Sequence, residues 1–441
     1  MTRTSEGATV RFRVDGRLGD LDSTEVDLLL RREPADEAGV RTAVSALIEE
    51  VRAGGDQALR SMAERFDGVA LEAVEVPPAR CAEALEELND DVRRALERAA
   101  DNIRRFHEAQ LPSDVRVEIE PGVVVTRSWT PLQRVGVYAP GGTAAYPSSV
   151  LMGVVPARAA GVDEVIVCSP PGPEGRPPDA VLAACAIAGA DRVFALGGAG
   201  AVAAMVFGTE TVPPVDAVVG PGNKWVTEAK RQVAGSVVID SPAGPSEVLV
   251  LADETADPHL VALELLAQAE HDPDAGCVLV TTSDELAERA TAALSVLLAE
   301  APRADTARTA LERQGGVIRA DSMEEALIFT DKYAAEHLSI MARDGSALAR
   351  KLRNAGTTFV GEASSVAFGD YMTGANHVLP TSGRARSFSG LSTHHFLRSF
   401  TIQELDARGA RSLADDVGLL ADAEGLPAHA LAARARGRGA E

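Results

Sequence analysis

The chain has 441 residues, 46% hydrophobic and 24% charged, the balance of a folded protein too long for one ordinary core. Its 65 acidic against 43 basic side chains leave a formal charge of −22, which repels phosphate backbones and excludes nucleic acid as the expected partner. The uncharged stretch 135–157 is broken by Gly and Pro, so it lacks the roughly 20 consecutive apolar residues of a membrane span, and no membrane association is expected.

In chain order, Met1 to Gly7 is polar and carries no apolar signal core. Residues 22–110 read as largely helical, with charged and Ala/Leu positions at helical spacing in 35–52, 55–65 and 78–110. Short β-branched runs follow in 115–129. From 134 a grammar of strand, Gly-rich loop and helix sets in. The strands are 135–139, 165–168, 192–196 and 217–219, each followed by a Gly- or Pro-rich loop and a helix. The grammar resumes with strands 248–252, 278–281, 317–320 and 358–361 and helices 257–270 and 284–300. Alternation of this kind predicts parallel sheets covered by helices. The Ala-rich stretch 411–436 closes the chain as helix. Cys81, Cys168, Cys185 and Cys277 are far apart, form no CxxC pair and read as small buried hydrophobes, which predicts a reduced, cytoplasmic setting.

Several segments carry candidate chemistry. Gly198, Gly200 and Ala203 make a G-x-G-x-x-A between strand and helix, a context for phosphate at a helix N-terminus, although the acidic residue expected at the end of the next strand is absent. Asn223, in Gly220-Pro221-Gly222-Asn223, suits either a ligand contact or the cap of the next helix. Gln268 and His271 share a helix face at i, i+3; His271 suits zinc or simply the negative end of the helix dipole. Glu336-His337 pairs a carboxylate that can activate water with an imidazole suited to proton transfer near neutrality, or reads as a helix-surface pair. Residues 366–381 set Asp370 and His377 among apolar and Gly neighbours, the composition of a site-lining loop. His394-His395 and the lone His429 read as surface or core residues on their own, and His107 and His259 offer no partner.

Together these segments resemble the bacterial histidinol dehydrogenase family, from the Gly55-Asp56 region to His429. The resemblance is carried by Val137-Tyr138-Ala139-Pro140-Gly141-Gly142, Gly220-Pro221-Gly222-Asn223, Ala243-Gly244-Pro245-Ser246-Glu247, Gln268-Ala269-Glu270-His271, Ala335-Glu336-His337-Leu338, and Gly369-Asp370-Tyr371 through Asn376-His377-Val378-Leu379-Pro380-Thr381. It implies an α/β fold of two Rossmann-like parallel-sheet domains, with a helical N-terminal segment and a C-terminal extension exchanged in a homodimer. The expected division is an N-terminal arm 1–33, a discontinuous first α/β domain 34–137 and 247–390, a second on the nucleotide side 138–246, and a dimerisation extension 391–441.

The resemblance also implies zinc held by Gln268, His271, Asp370 and His429, the last from the partner subunit. It implies NAD contacts at Tyr138, Gly200 and Asn223. Contacts to L-histidinol are implied at Ser246, Gln268, His271, His337, Asp370, His377, Glu424 and His429, with Glu336 and His337 as the proton-transfer pair. The implied reaction oxidises the alcohol through L-histidinal to L-histidine with two NAD. Two departures stand out. Gly200 replaces the family's usual Gln in its Gly-Gly-Ala-Gln turn and removes a nucleotide contact, and Ala335 replaces a commoner Pro. The competing readings are a related zinc and NAD enzyme for another primary alcohol such as a sulfonated diol, a zinc hydrolase, and a non-catalytic binding protein.

Overall fold

Six-residue runs of Val, Leu and Ala with no exposed face can only be strands sheltered on both sides, and Glu247–Ala252 and Gly276–Thr281 are buried throughout. They lie at the centre of the first of two six-stranded sheets in the computed structural model, which describes residues 10–32, 37–141 and 145–438. Met1 to Gly7, both ends of the expected arm, and Gly142 of the Pro-Gly-Gly turn lie outside the described residues.

In the first sheet Glu247–Ala252 is flanked by Gly276–Thr281 and then Gly315–Arg319 on one side, and by His337–Met341 and then Thr357–Val360 on the other. Val14–Arg17 adds a parallel strand beyond Gly315–Arg319. The second sheet repeats the order around Arg134–Tyr138, with Glu164–Ser169 and Arg192–Ala195 to one side and Ala217–Val219 and Val238–Ile239 to the other. The short strand Glu75–Val76 closes that edge antiparallel. Each sheet thus reverses direction of winding beside its first strand, and a crevice opens there.

Of the expected grouping of 34–137 with 247–390, the helices of the first stretch share a core with the second sheet. The helices Glu37–Met62, Pro78–Glu87 and Asp90–Glu108 turn Val44, Val51, Leu59, Ala84 and Ile103 into one core with Val137, Val154 and Val202. Their apolar stripes cover the second sheet, and 134–138 is that sheet's central strand rather than a boundary. The N-terminal segment packs on the first sheet: Val10, Val14 and Leu29 sit in its cores. With aromatics at only 4% of the chain, these cores are built from Ala, Val and Leu, and the helices Pro147–Ala159 and Gly198–Phe207 are buried almost all round.

The C-terminal segment adds a three-stranded antiparallel sheet in which Val123–Pro131 pairs with both Val115–Glu120 and Leu397–Leu405. The helices Ala407–Ala423 and Pro427–Gly437 follow. Val117, Ile119, Phe400, Ile402, Leu419, Leu420 and Leu431 on these elements are exposed. No helix among the described residues is long and apolar enough to cross a membrane.

The connection 240–246 runs from the carboxyl edge of the second sheet to the amino edge of the first. At full extension it spans only on the order of 25 Å, so these two edges must lie close together. The turn at Gly220 starts on that carboxyl edge with φ +115°, and a Cβ there would stand 2.1 Å from the Tyr138 carbonyl oxygen. Gly220→Ala is therefore expected to cost at least about 1–3 kcal/mol in backbone strain, read as a lowered Tm in thermal unfolding; an unchanged Tm would show that the turn relaxes freely.

Candidate functional site

The helix Met323–Tyr333 stops where Ala334 takes a left-handed φ of 51°, and the chain turns straight into the strand His337–Met341. Glu336 and His337 therefore lie at the amino end of a buried strand, not on a helix surface. The start of the neighbouring strand meets them in register, with Val248 opposite His337. The two strand starts are locked reciprocally: the Glu336 N–H donates to Glu247 Oε1 at 3.1 Å, and the Glu247 N–H donates to Glu336 Oε2 at 2.7 Å. His337 Nδ1 lies 3.1 Å from the Glu247 carbonyl oxygen. A carbonyl only accepts, so Nδ1 carries the proton and Nε2 holds the lone pair of the neutral ring. That Nε2 lies 3.6 Å from Asp370 Oδ1 and has no hydrogen-bond partner among the described residues.

Burial pushes the Glu336 carboxyl up, with the adjacent His337 opposing it only in part. Burial works against a charge on His337, yet the carboxylates of Glu336 and Asp370 outweigh it and hold the imidazole up. Asp370 sits on the short helix Val366–Tyr371, which Ser365 caps and whose first N–H donates to buried Glu264 at 3.1 Å. Burial opposes its charge too, but His337, His377 and His271 around it hold its carboxyl down. His377 Nδ1 is 2.9 Å from the Asp370 carbonyl oxygen. Its neighbour Asn376 donates to the Met152 carbonyl at 2.8 Å and so ties this loop to the second sheet's helices. Gln268, at the end of the helix Pro258–Ala269, is buried, and its Nε2 lacks a partner among the described residues. His271 is exposed just past that helix, and half-buried Ser246 directly precedes Glu247.

Across the gap, Tyr138 ends the central strand of the second sheet. Its hydroxyl accepts from the Gly198 N–H at 3.2 Å, while burial pushes its pKa up to about 12. Asn223 caps the helix Lys224–Val233 through bonds from the Trp225 and Val226 N–H groups. It also faces a cleft of about 400 Å³ lined by Lys224, Trp225, Arg231, Pro245 and Arg384. Gly200 is not on an open turn: it lies buried inside its helix, where a Cβ would come 2.9 Å from Met62 Sδ. The turn before Asn223 is held by a buried ion pair. Lys230 Nζ meets Asp240 and donates to the Gly220 carbonyl at 2.9 Å, and Asp240 accepts the Gly220 N–H at 2.8 Å.

One chain thus brings together Glu336, His337, Asp370, His377 and His271, with Gln268 buried close to the same edge. It does not bring Glu424 and His429 to them. Both are exposed at the turn of the C-terminal helical hairpin, and neither is among the groups that act on Asp370. His394 packs edge-on against Trp129, His395 caps Ser392, and buried His107 bonds the Ile103 carbonyl, so these three have structural roles. Sequence reasoning missed Arg32, Lys230, Asp240 and Tyr333, and it quoted Glu247 without a role. A lysine late in an amphipathic helix reads as solvated; only the fold shows it buried.

A family model described as histidinol dehydrogenase matches residues 30–437. The histidinol dehydrogenase of Halobacterium salinarum is 52% identical over 398 residues, covering 90% of this chain and 93% of its own. That of Methanothermobacter thermautotrophicus is 47% identical over 420 residues, covering 95% and 99%. Among solved structures, histidinol dehydrogenase from Elizabethkingia anophelis superposes with a TM-score of 0.91 at 34% identity, covering 97% of this chain and 98% of that one.

Removing one partner of a buried ion pair leaves the other charge uncompensated. Lys230→Met is expected to cost about 3–5 kcal/mol, and the double variant Lys230→Met/Asp240→Leu to recover much of it. Urea unfolding of the single and double variants measures both.

Proposed function

The chain belongs to the histidinol dehydrogenase family, and we propose that it oxidises L-histidinol through the aldehyde to L-histidine with NAD as acceptor and zinc as resident metal. The observation that carries the reading is the buried Glu336–His337–Asp370 constellation, in which one imidazole lies 3.6 Å from each of two carboxylates at the amino edge of the first sheet. The four free cysteines fit a cytoplasmic enzyme.

The donor set fits a metal. Asp370 is kept ionised among three imidazoles, and Gln268 is buried at the end of the helix that His271 follows. Gln268, His271 and Asp370 would hold zinc from one chain and His429 from a second. When bound, zinc supplies a Lewis acid that orients an amino alcohol, and NAD supplies the hydride acceptor.

The chain's own residues handle the protons. His337 takes the hydroxyl proton at Nε2, since its Nδ1 is committed to the Glu247 carbonyl. Glu336 takes a proton from water as the oxygen adds to the aldehyde carbon. Burial of both groups limits access of bulk water and retains the aldehyde between the two oxidations. Ser246, His377 and Glu424 complete the substrate contacts. Tyr138 and Asn223 stand at the carboxyl edge where a dinucleotide is expected.

The exposed apolar residues of the C-terminal hairpin and the three-stranded sheet suit a second copy of this chain, and His429 and Glu424 ride on that hairpin. With zinc-loaded protein, two NADH are expected per histidinol. Activity is expected to be lost on chelation, and kcat to fall roughly 10²–10⁴-fold in His337→Asn. Folded, metal-loaded protein that makes no NADH from histidinol but does so from another primary alcohol would reassign the substrate.

A site shared between subunits makes a separate expectation. Inactive Asp370→Ala and His429→Ala proteins, dissociated and mixed, should regain about a quarter of wild-type activity through the one intact site of each heterodimer. No regain after subunit exchange would show that His429 does not complete the partner's site.

A further inference from the structure

Arg32 lies far from the site in sequence, yet its side chain is only 7% exposed and faces a Glu247 side chain that is 2% exposed. Its guanidinium stacks 3.5 Å above the Tyr333 ring, donates through Nη2 to the Tyr333 carbonyl at 2.7 Å, and sets Nε 3.1 Å from Glu247 Oε2. A buried ion pair of this kind is commonly no more stabilising than apolar residues of the same volume, so fold stability alone does not account for it. Its location does. Arg32 takes Glu247 Oε2, which leaves Oε1 for the Glu336 N–H. Through Tyr333 it also grips the last residue of the helix whose left-handed stop at Ala334 delivers Glu336 two positions later. Its own carbonyl accepts from Ser382 Oγ at 3.3 Å, just beyond the segment that carries His377.

We propose that Arg32 is a positioning residue for Glu336, acting through the Glu247 carboxylate and the Tyr333 carbonyl. The proposal rests on the reading of Glu336 as the base of the aldehyde step. It accounts for a charge buried on the N-terminal segment, since both routes from it converge on the backbone of one residue. It also separates the two half-reactions: His337 is held by the Glu247 backbone carbonyl, which no side-chain change removes, whereas the Glu336 N–H depends on the Glu247 side chain.

The test uses the full-length, zinc-loaded protein and follows NADH from the alcohol and from the aldehyde separately. The variants are Arg32→Met/Glu247→Leu, which leaves no unpaired buried charge, and Arg32→Lys. In the double variant, kcat with the aldehyde is expected to fall on the order of 100-fold, as for a misplaced catalytic group. KM should hold and the alcohol step should fall far less, while Arg32→Lys retains most of the aldehyde rate. A crystal structure of the double variant should show the Glu336 carboxylate displaced from the Glu247 N–H. A Glu336 carboxylate left in place, or equal losses in both half-reactions, would overturn the role of Arg32. Failure of Glu336→Gln to slow the aldehyde step would instead overturn the reading of Glu336, and the crystal structure would still decide what Arg32 holds.

Discussion

The crossing of two carboxylates with two backbone N–H groups, Glu247 with Glu336, sets the site from which the rest is arranged. Each carboxylate reaches the amino end of the other's strand, where a parallel ladder leaves the first N–H groups without partners. Two acids so close would repel if nothing intervened. Burial pushes both carboxyls up, Arg32 draws Glu247 down, and His337 draws Glu336 down. A carboxylate at that point caps the sheet edge.

The arrangement departs from the usual placing of α/β sites. In the second sheet, Tyr138 and the Gly220 turn stand outside the carboxyl ends of the strands, at the reversal of strand order. In the first sheet, Glu336, His337 and Glu247 stand at the amino ends instead. The two edges meet because the connection 240–246 is too short to separate them. One edge offers Gly-rich turns and helix N-termini, the other offers side chains at the starts of buried strands, and a two-step oxidation has use for both.

Much of this is legible in the sequence. The strand–loop–helix grammar from residue 134 onward points to parallel sheets, and Asp370 and His377 stand out as polar residues in apolar surroundings, whereas Glu336-His337 reads equally as a helix-surface pair. Other features were hidden for physical reasons. Glu336-His337 follows the helix Met323–Tyr333 so closely that only the left-handed Ala334 separates helix from strand, and an alanine gives no sign of that turn. The helices of 37–108 have stripes that would fit either sheet, and sequence does not say which face stands open. Arg32 reads like any charged residue in an N-terminal segment, because its partner lies more than two hundred positions away. Gly200 looked like part of an open phosphate turn, whereas the turn ends at Gly198 and the helix has already begun.

The N-terminal strand gives the molecule an order of assembly. Arg17 is tied to Asp321 across 304 positions, and Val14–Arg17 completes the edge of the first sheet only beside Gly315–Arg319. A chain leaving the ribosome can close the second sheet over helices 37–108 once residue 239 has emerged, because every strand of that sheet is by then available. The first sheet must wait for most of the remaining chain, and its earliest-made strand is among the last to find a partner. Contacts of such long range slow folding, so the half of the protein that carries Glu336 and His337 is also the half that is completed last.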